Sequence, residues 1–431
     1  MKPKKILLLE NLLRWMATVV LKRHQPQIVA VTGSVGKTST KKAISKVLAQ
    51  KFSVRENQKN YNNEIGIPLT IIGAESGGRN IFRWFWVLIK WVFTLILPGY
   101  PKVLVLELGV DRPGDMAHFM SFIHPAIGIV TNVSASHLEF FKTLEKIAKE
   151  KGTLIKALPS SKVALLNGDD ELVAQMGSTA KARVLKFGLN PKLEINASHI
   201  TYNYQGGRPD GLSFKLNYAG KNMPIRLKHI LGEHYVYAAL AAVAAGTVFK
   251  INLVEIAQAL EELKPPIGRL NLLAGLAGSF MLDDTYNASP VSTLAALNTL
   301  AQLQAKRKIA VLGDMLELGS QSEIGHREVG KRIAQLKLGL VVLMGDRMDD
   351  CVRELIAQGY PASQIMNFKD HSAAVLALAE LIKEGDFILI KGSQGMRMEK
   401  IVEGLLADPD EAKNLLCRQT RQWRKTPYVK P

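Results

Sequence analysis

Cysteine is scarce in this chain: 431 residues carry two, Cys351 and Cys417. They are far apart and sit in no metal-binding spacing. A disulfide scaffold and a cysteine-ligated zinc site are therefore excluded, and the pair reads as reduced thiols in a cytosolic protein. Acidic residues are also short, with 38 Asp+Glu against 56 Lys+Arg and a formal net charge of +18. That excess favours an anionic partner such as a nucleotide, a phosphorylated substrate or an acidic lipid. No nucleic-acid recognition motif accompanies it, so no nucleic-acid partner is expected. A secretory leader is lacking too. "MKPKKILLLENLLRWMATVVLKRH" begins basic and turns apolar, but Glu10 and Arg14 interrupt the run and no small-residue cleavage site follows. Internal repeats and low-complexity tracts are missing as well.

What remains suits a globular enzyme: 47% hydrophobic and 22% charged residues, enough chain for two or three domains with cores. Residues 1–26 form an amphipathic helix, with Leu9, Leu12, Leu13, Met16, Val19 and Val20 at helical spacing. It packs on its own domain or lies on a membrane surface. From 27 to 264 short apolar strands such as "QIVAVTG", "KVLVLELG" and "AIGIVTNV" alternate with helices, which predicts a parallel α/β sheet. Residues 193–228 look like hairpins. The paired prolines of "KPPIGRL" mark a linker. A second α/β domain is expected over 265–408, with strands at 279–283, 307–312, 339–344 and 386–390. The tail, 409–431, is basic and reads as a solvated end.

Between the first strand and the next helix lies Gly33-Ser34-Val35-Gly36-Lys37-Thr38-Ser39. Glycines let backbone N–H groups close around phosphate oxygens, and the helix N-terminus adds a favourable field. Lys37 would reach the outer phosphates and the Thr38 hydroxyl would ligate Mg2+. The loop is two residues shorter than the full GxxxxGK[ST] pattern. Glu107 ends an apolar strand, where a carboxylate faces the ligand crevice of a parallel sheet. His137 follows another strand and Lys151 sits on the next helix. Singly, each of these three reads as an ordinary strand-end, structural or solvated residue.

Taken in order, the phosphate loop, "YNNEIGIPLT" (61–70), "LELG" (106–109), "NVSASHLE" (132–139), "EKGTL" (150–154), "PPIGRL" (265–270), "LDDTYNASP" (282–290), "VLGDMLELG" (311–319) and "KGSQGMRME" (391–399) resemble the Mur ligases. The resemblance covers roughly residues 28–406. "DDTYNASP" and "LGDMLELG" are specific to the branch that joins D-Ala-D-Ala to a UDP-muramoyl tripeptide.

The resemblance implies a P-loop parallel-sheet ATPase domain followed by a smaller Rossmann-like α/β domain. It implies a cytoplasmic, monomeric enzyme that takes ATP and two Mg2+ ions. The acceptor carboxylate is phosphorylated to an acyl phosphate, which the amine then attacks. Lys37 and the loop amides would hold the β- and γ-phosphates. Thr38 and Glu107 would bind the first Mg2+, and His137 would serve the second. Lys151 matches a lysine that such ligases carry as a carbamate. Asn63, Arg269, Asp284 and Tyr235 would complete the ATP site, and Asn287 and Ser393 would shape the amine site. In "GEHYVYAAL", Tyr235 and Ala238 stand where the family has asparagines, leaving Tyr235 to stack on the purine. About 27 residues precede the first strand, too few for the family's amino-terminal UDP-binding domain. A lipid-linked or poly-γ-glutamyl-type acceptor and an inactive nucleotide-binding scaffold are the alternative readings.

One segment stands outside the resemblance. "IFRWFWVLIKWVFTLIL" (81–97), within an insertion at 79–99, carries three of the five tryptophans. As a helix it spans ~25 Å, short of a ~30 Å hydrocarbon core. A single crossing would also put Lys37 and Glu107 on opposite sides of the membrane. Either it lies in the plane of an acidic membrane surface at the inner face, or it packs on the first helix as a small replacement domain.

Overall fold

Apolar strands bounded by turns assemble into two sheets in the computed structural model, which describes residues 4–58, 61–78, 80–134 and 138–427. The chain divides into two units. The first holds the chain up to Ile200, with Phe214–Arg226 and Tyr235–Leu263; the second holds Thr201–Ser213, Leu227–His234 and the chain from Lys264. Two stretches expected in the central domain, 201–213 and 227–234, thus belong to the second unit. For 201–213, Tyr202 Oη donates to Gln302 Oε1 at 2.8 Å and the Gln304 amide donates to Tyr204 Oη at 2.8 Å.

The first sheet comprises β1 (Gln27–Thr32), β2 (Val54–Glu56), β3 (Val103–Glu107), β4 (Ile127–Val130), β5 (Val163–Asn167), β6 (Arg183–Gly188), β7 (Ile195–Gln205), β8 (Arg208–Tyr218) and β9 (Lys221–Leu227), in the order β2-β3-β1-β4-β5-β6-β7-β8-β9. Pairing is parallel from β2 to β7. All five residues of β3 are buried, as expected where helices cover both faces of a parallel strand. The β1–β3 register sets Val31 beside Glu107, so the carboxylate leaves the sheet next to the phosphate loop.

Four helices precede β3 in the chain: α1 (Lys4–His24), α2 (Lys37–Leu48), α3 (Gly66–Ile72) and α4 (Ile81–Ile96). Helix α1 buries Leu13, Met16, Ala17 and Val20, a stripe at helical spacing, in the first unit's core with Leu69 and Ile71 of α3. Helix α4 starts at Asn80, whose side chain accepts from the Phe82 and Arg83 amides, and among its residues only Val87 is fully buried. It rests on α1: Trp91 Nε1 donates to Met16 O at 3.0 Å, and the Trp15 and Trp91 ring centroids are 5.3 Å apart. No helix among the described residues is long and apolar enough to cross a membrane.

The second sheet comprises β10 (Asn271–Ala274), β11 (Phe280–Asp284), β12 (Arg307–Gly313), β13 (Leu340–Met344), β14 (Ile365–Phe368) and β15 (Asp386–Lys391), in the order β10-β11-β15-β12-β13-β14. Only β10–β11 is antiparallel. Within the tail Arg421, Arg424 and Lys425 are exposed, whereas the Arg418 side chain is not. Glu399 Oε1 accepts from Arg397 Nε at 2.6 Å and Oε2 from Arg418 Nη2 at 2.7 Å, with all three side chains buried. Arg397 Nη1 also donates to Trp423 O at 2.7 Å and Thr426 O at 2.5 Å. The basic residues act as fasteners because a buried carboxylate needs cations around it.

Candidate active site

The turn from β1 into α2 needs glycine twice. Gly36 is the N-cap of α2 in the left-handed region at φ 81°, and it offers no side-chain acceptor to the first-turn amides. A cap without a side chain leaves room for an anion at the start of the helix. Gly33 has φ 149°, and a Cβ there would lie 1.9 Å from Thr131 Oγ1. The segment after β4 shapes the loop from outside. Val35 N donates to Asn132 Oδ1 at 2.7 Å, Ser34 N to Asn132 O at 2.9 Å and Thr131 Oγ1 to Val35 O at 2.7 Å. Ser34 Oγ donates to Ser134 O at 3.1 Å. Lys37 folds back, donating to Gly33 O at 2.8 Å and Ser34 O at 3.1 Å. Ser39 is buried within the first turn of α2.

Glu107 meets this loop directly. Thr38 Oγ1 donates to Glu107 Oε2 at 2.9 Å, and Asn62 Nδ2 to Oε1 at 3.3 Å. Lys41 Nζ, one turn along α2, lies 3.4 Å from Oε2. Asn57 holds the strand end from both sides: its Oδ1 accepts from Glu107 N at 2.8 Å and its Nδ2 donates to Glu107 O at 3.2 Å. Helix α5 (Leu144–Lys156) then brings in Lys151, whose buried Nζ donates to Gly33 O at 3.1 Å. Burial, and secondarily the Lys37 charge, pull the Lys151 ammonium down to about 7.

Eight predicted residues are thereby brought together: Gly33, Ser34, Val35, Gly36, Lys37, Thr38, Glu107 and Lys151. His137 lies outside the described residues. Asn63 caps α3's entry, accepting from Gly66 N at 2.8 Å, while its neighbour Asn62 is the one that reaches Glu107. Tyr235 begins α6 (His234–Val248) and is 1% exposed, so the open stacking face expected of it is not presented. Asn132, Thr131, Asn62 and Lys41 were not singled out in the sequence, since nothing local distinguishes them.

The donor chemistry fits a hard divalent cation. Thr38 and Glu107 offer a hydroxyl and a carboxylate, the oxygen ligands Mg2+ takes alongside phosphate oxygens and waters. Among the described residues no three His, Cys, Asp or Glu side chains cluster as a self-sufficient metal cage.

In the second unit, the carboxyl ends of β11, β15 and β12 are neighbours, where open α/β sheets bind ligands. Lys391 Nζ donates to Asp284 Oδ2 at 2.6 Å and Asn287 O at 2.9 Å. Burial lowers the Lys391 ammonium and the Asp284 charge opposes that shift. Ser393 Oγ accepts from Leu316 N at 2.8 Å, and Asn287 Oδ1 accepts from Gln394 N at 3.3 Å. Arg269 lies over the Tyr286 ring at 4.2 Å. Motifs far apart in sequence thus converge around Asp284, Asn287 and Ser393.

Comparison with known proteins also finds two parts. A model of the Mur ligase middle domain matches residues 31–82 and 92–246, and one of the Mur ligase glutamate ligase domain matches 268–394. The UDP-N-acetylmuramoyl-tripeptide–D-alanyl-D-alanine ligase of Bacillus subtilis (strain 168) is 30% identical over 400 residues, covering 92% of this chain and 79% of that protein. The enzyme of the same name from Escherichia coli (strain K12) is 29% identical, covering 90% and 79%. A MurF ligase from Thermotoga maritima, solved with ADP, superposes with TM-score 0.77 at 26% identity, covering 94% and 84%. The phosphate loop with its carboxylate and lysine sits in the first matched part and the convergent motifs in the second, so the chain belongs to the Mur ligase family.

Proposed function

We propose that the chain is an ATP-dependent amide ligase that joins D-Ala-D-Ala to the free carboxyl of a UDP-muramoyl tripeptide, acting as a cytoplasmic monomer. One observation carries this reading: Thr38 donates to Glu107 while Lys37 and Lys151 converge on Gly33. That cluster is suited to holding a triphosphate and its cation, and the relatives named above supply the substrate class.

In this reading the loop amides and Lys37 orient the β- and γ-phosphates. The acceptor carboxylate attacks the γ-phosphorus and ADP leaves; the amine then attacks the acyl carbon, loses a proton and expels phosphate. Thr38 and Glu107 would hold one Mg2+, with His137 assigned to a second, and the ions would neutralise phosphate charge. Lys151 fits a carbamate. Its depressed basicity leaves neutral amine to add to CO2 and lose a proton, which turns a cation into an anionic oxygen donor beside the loop. Arg269 and Asp284 are assigned to ATP in this reading, and Asn287 and Ser393 to the amine.

The test is phosphate release across acceptors and amines. Release that requires both UDP-muramoyl tripeptide and D-Ala-D-Ala, with a product mass equal to their condensation, is expected. Release with a lipid-linked or γ-glutamyl acceptor instead would move the assignment to that substrate. None with any pair would make the chain a scaffold.

A further inference from the structure

We propose that the outward face of α1 and α4 is a docking surface for an anionic phospholipid bilayer, on which the first unit lies in plane. Phe82, Phe85, Trp86 and Phe93 share one side of α4 and are 50–76% exposed. Their spacing places them on a common arc, away from the side that carries Val87 and Trp91 to α1. The arc continues onto α1 through Leu8 and Trp15, both more than half exposed. Trp15 meets Trp91 where the helices touch, so the two faces are continuous. A contiguous apolar face of this extent marks an interaction site.

Charge selects the occupant. Arg83 and Lys90 are exposed, seven residues apart, along one edge of the α4 arc, and Lys4, Lys22 and Arg23 are exposed on α1. Helix α4 has no acidic residue, and Glu10, the one carboxylate of α1, is buried. Aromatic rings flanked by cations, with no exposed carboxylate on either helix, suit the headgroup level of an acidic membrane. A second copy of this chain fits poorly, because a two-fold contact would set Arg83 and Lys90 against like charge. Crossing is excluded by topology. The chain before α4 supplies β1 and the chain after it supplies β3, and these pair in one sheet.

The surface is a property of this chain beyond its family. The middle-domain match stops at residue 82 and resumes at 92, leaving the centre of α4 outside it. It also stands apart from the ligase reading, since it touches none of the residues around the phosphate loop.

Flotation of the full chain with phosphatidylglycerol–phosphatidylcholine vesicles, against pure phosphatidylcholine vesicles, tests it. Recovery with the anionic vesicles, weakened by salt, is expected. The triple variant Phe82→Ser, Phe85→Ser, Trp86→Ser should lose at least about tenfold of that recovery. The charge reversal Arg83→Glu, Lys90→Glu should lose binding while keeping the apolar face. Far-UV circular dichroism and thermal melting confirm that each variant is folded. Equal flotation of native and folded triple variant would overturn the proposal, as would no flotation at all. Self-association on light scattering, abolished by the triple variant without vesicle binding, would assign the face to a second copy. Loss of ligase activity in the native chain would leave the flotation outcome intact, so the two readings fail separately.

Discussion

Lys41 Nζ lies 3.4 Å from Glu107 Oε2, with side chains 1% and 5% exposed. The same ammonium donates to Asn57 O at 2.6 Å, and Asn57 in turn holds the backbone of Glu107. The carboxylate assigned to the first Mg2+ is therefore already matched by a protein cation before any ligand arrives. Replacing it, Lys41→Met, strands a buried charge and should cost about 3–5 kcal/mol of stability. Thermal unfolding with and without Mg·ATP checks this. The variant should melt lower than native, and Mg·ATP should restore more of its stability than it adds to native protein.

The outer brace of the phosphate loop can be tested at Asn132, whose side chain accepts from Val35 N. Asn132→Ala removes one fixed acceptor and leaves the loop amide unpaired, at about 1–3 kcal/mol. The Michaelis constant for ATP should rise about tenfold with the fold intact. Initial rates over a range of ATP concentration measure this.

Lys151 should exchange carbon with dissolved CO2. Protein equilibrated with 13C-bicarbonate should show a carbamate carbon resonance that Lys151→Arg lacks. Turnover should fall when buffers are stripped of CO2 and return when bicarbonate is restored. An arginine cannot form the adduct, so the variant should stay inactive under both conditions.

Asp283 gives a pH signature in the second unit. It is fully buried; Thr285 N and Oγ1 donate to its Oδ1, and burial pushes its carboxyl up to about 6. The folded state therefore holds a proton between pH 4 and 6 that the unfolded state has lost, so this group's contribution to stability falls as pH rises through that window. Asp283→Asn keeps an acceptor for Thr285 and removes the titration. Urea unfolding at pH 4 and pH 7 should show a smaller drop for the variant than for native protein.

Much of the site was legible because its markers are local. The glycine–lysine loop, the strand ending in Glu107 and the helix bearing Lys151 each announce themselves within a few residues. The four strands expected after 265 are found, shifted by a residue at most. What escaped depends on partners distant in sequence. Lys41 looks like any solvated helix lysine until the β1–β3 register brings Glu107 above it. Asn132 is one polar residue in a loop until Val35 reaches it. Strands β10 and β14 have four residues each and incomplete burial, so they carry little apolar pattern. Tyr235 was expected to stack on the purine because it stands where the family has an asparagine, and its burial could not be read from the motif.

The arginine pair around Glu399 has a practical bearing on how the chain can be cut or extended. A premature stop ahead of Arg418 would take away one of the two cations facing Glu399. Fusion partners joined after Thr426 leave that ionic lock untouched. Removing the last fourteen residues, from Arg418 on, by contrast, should leave Glu399 with a single buried cation and lower the stability of the second unit.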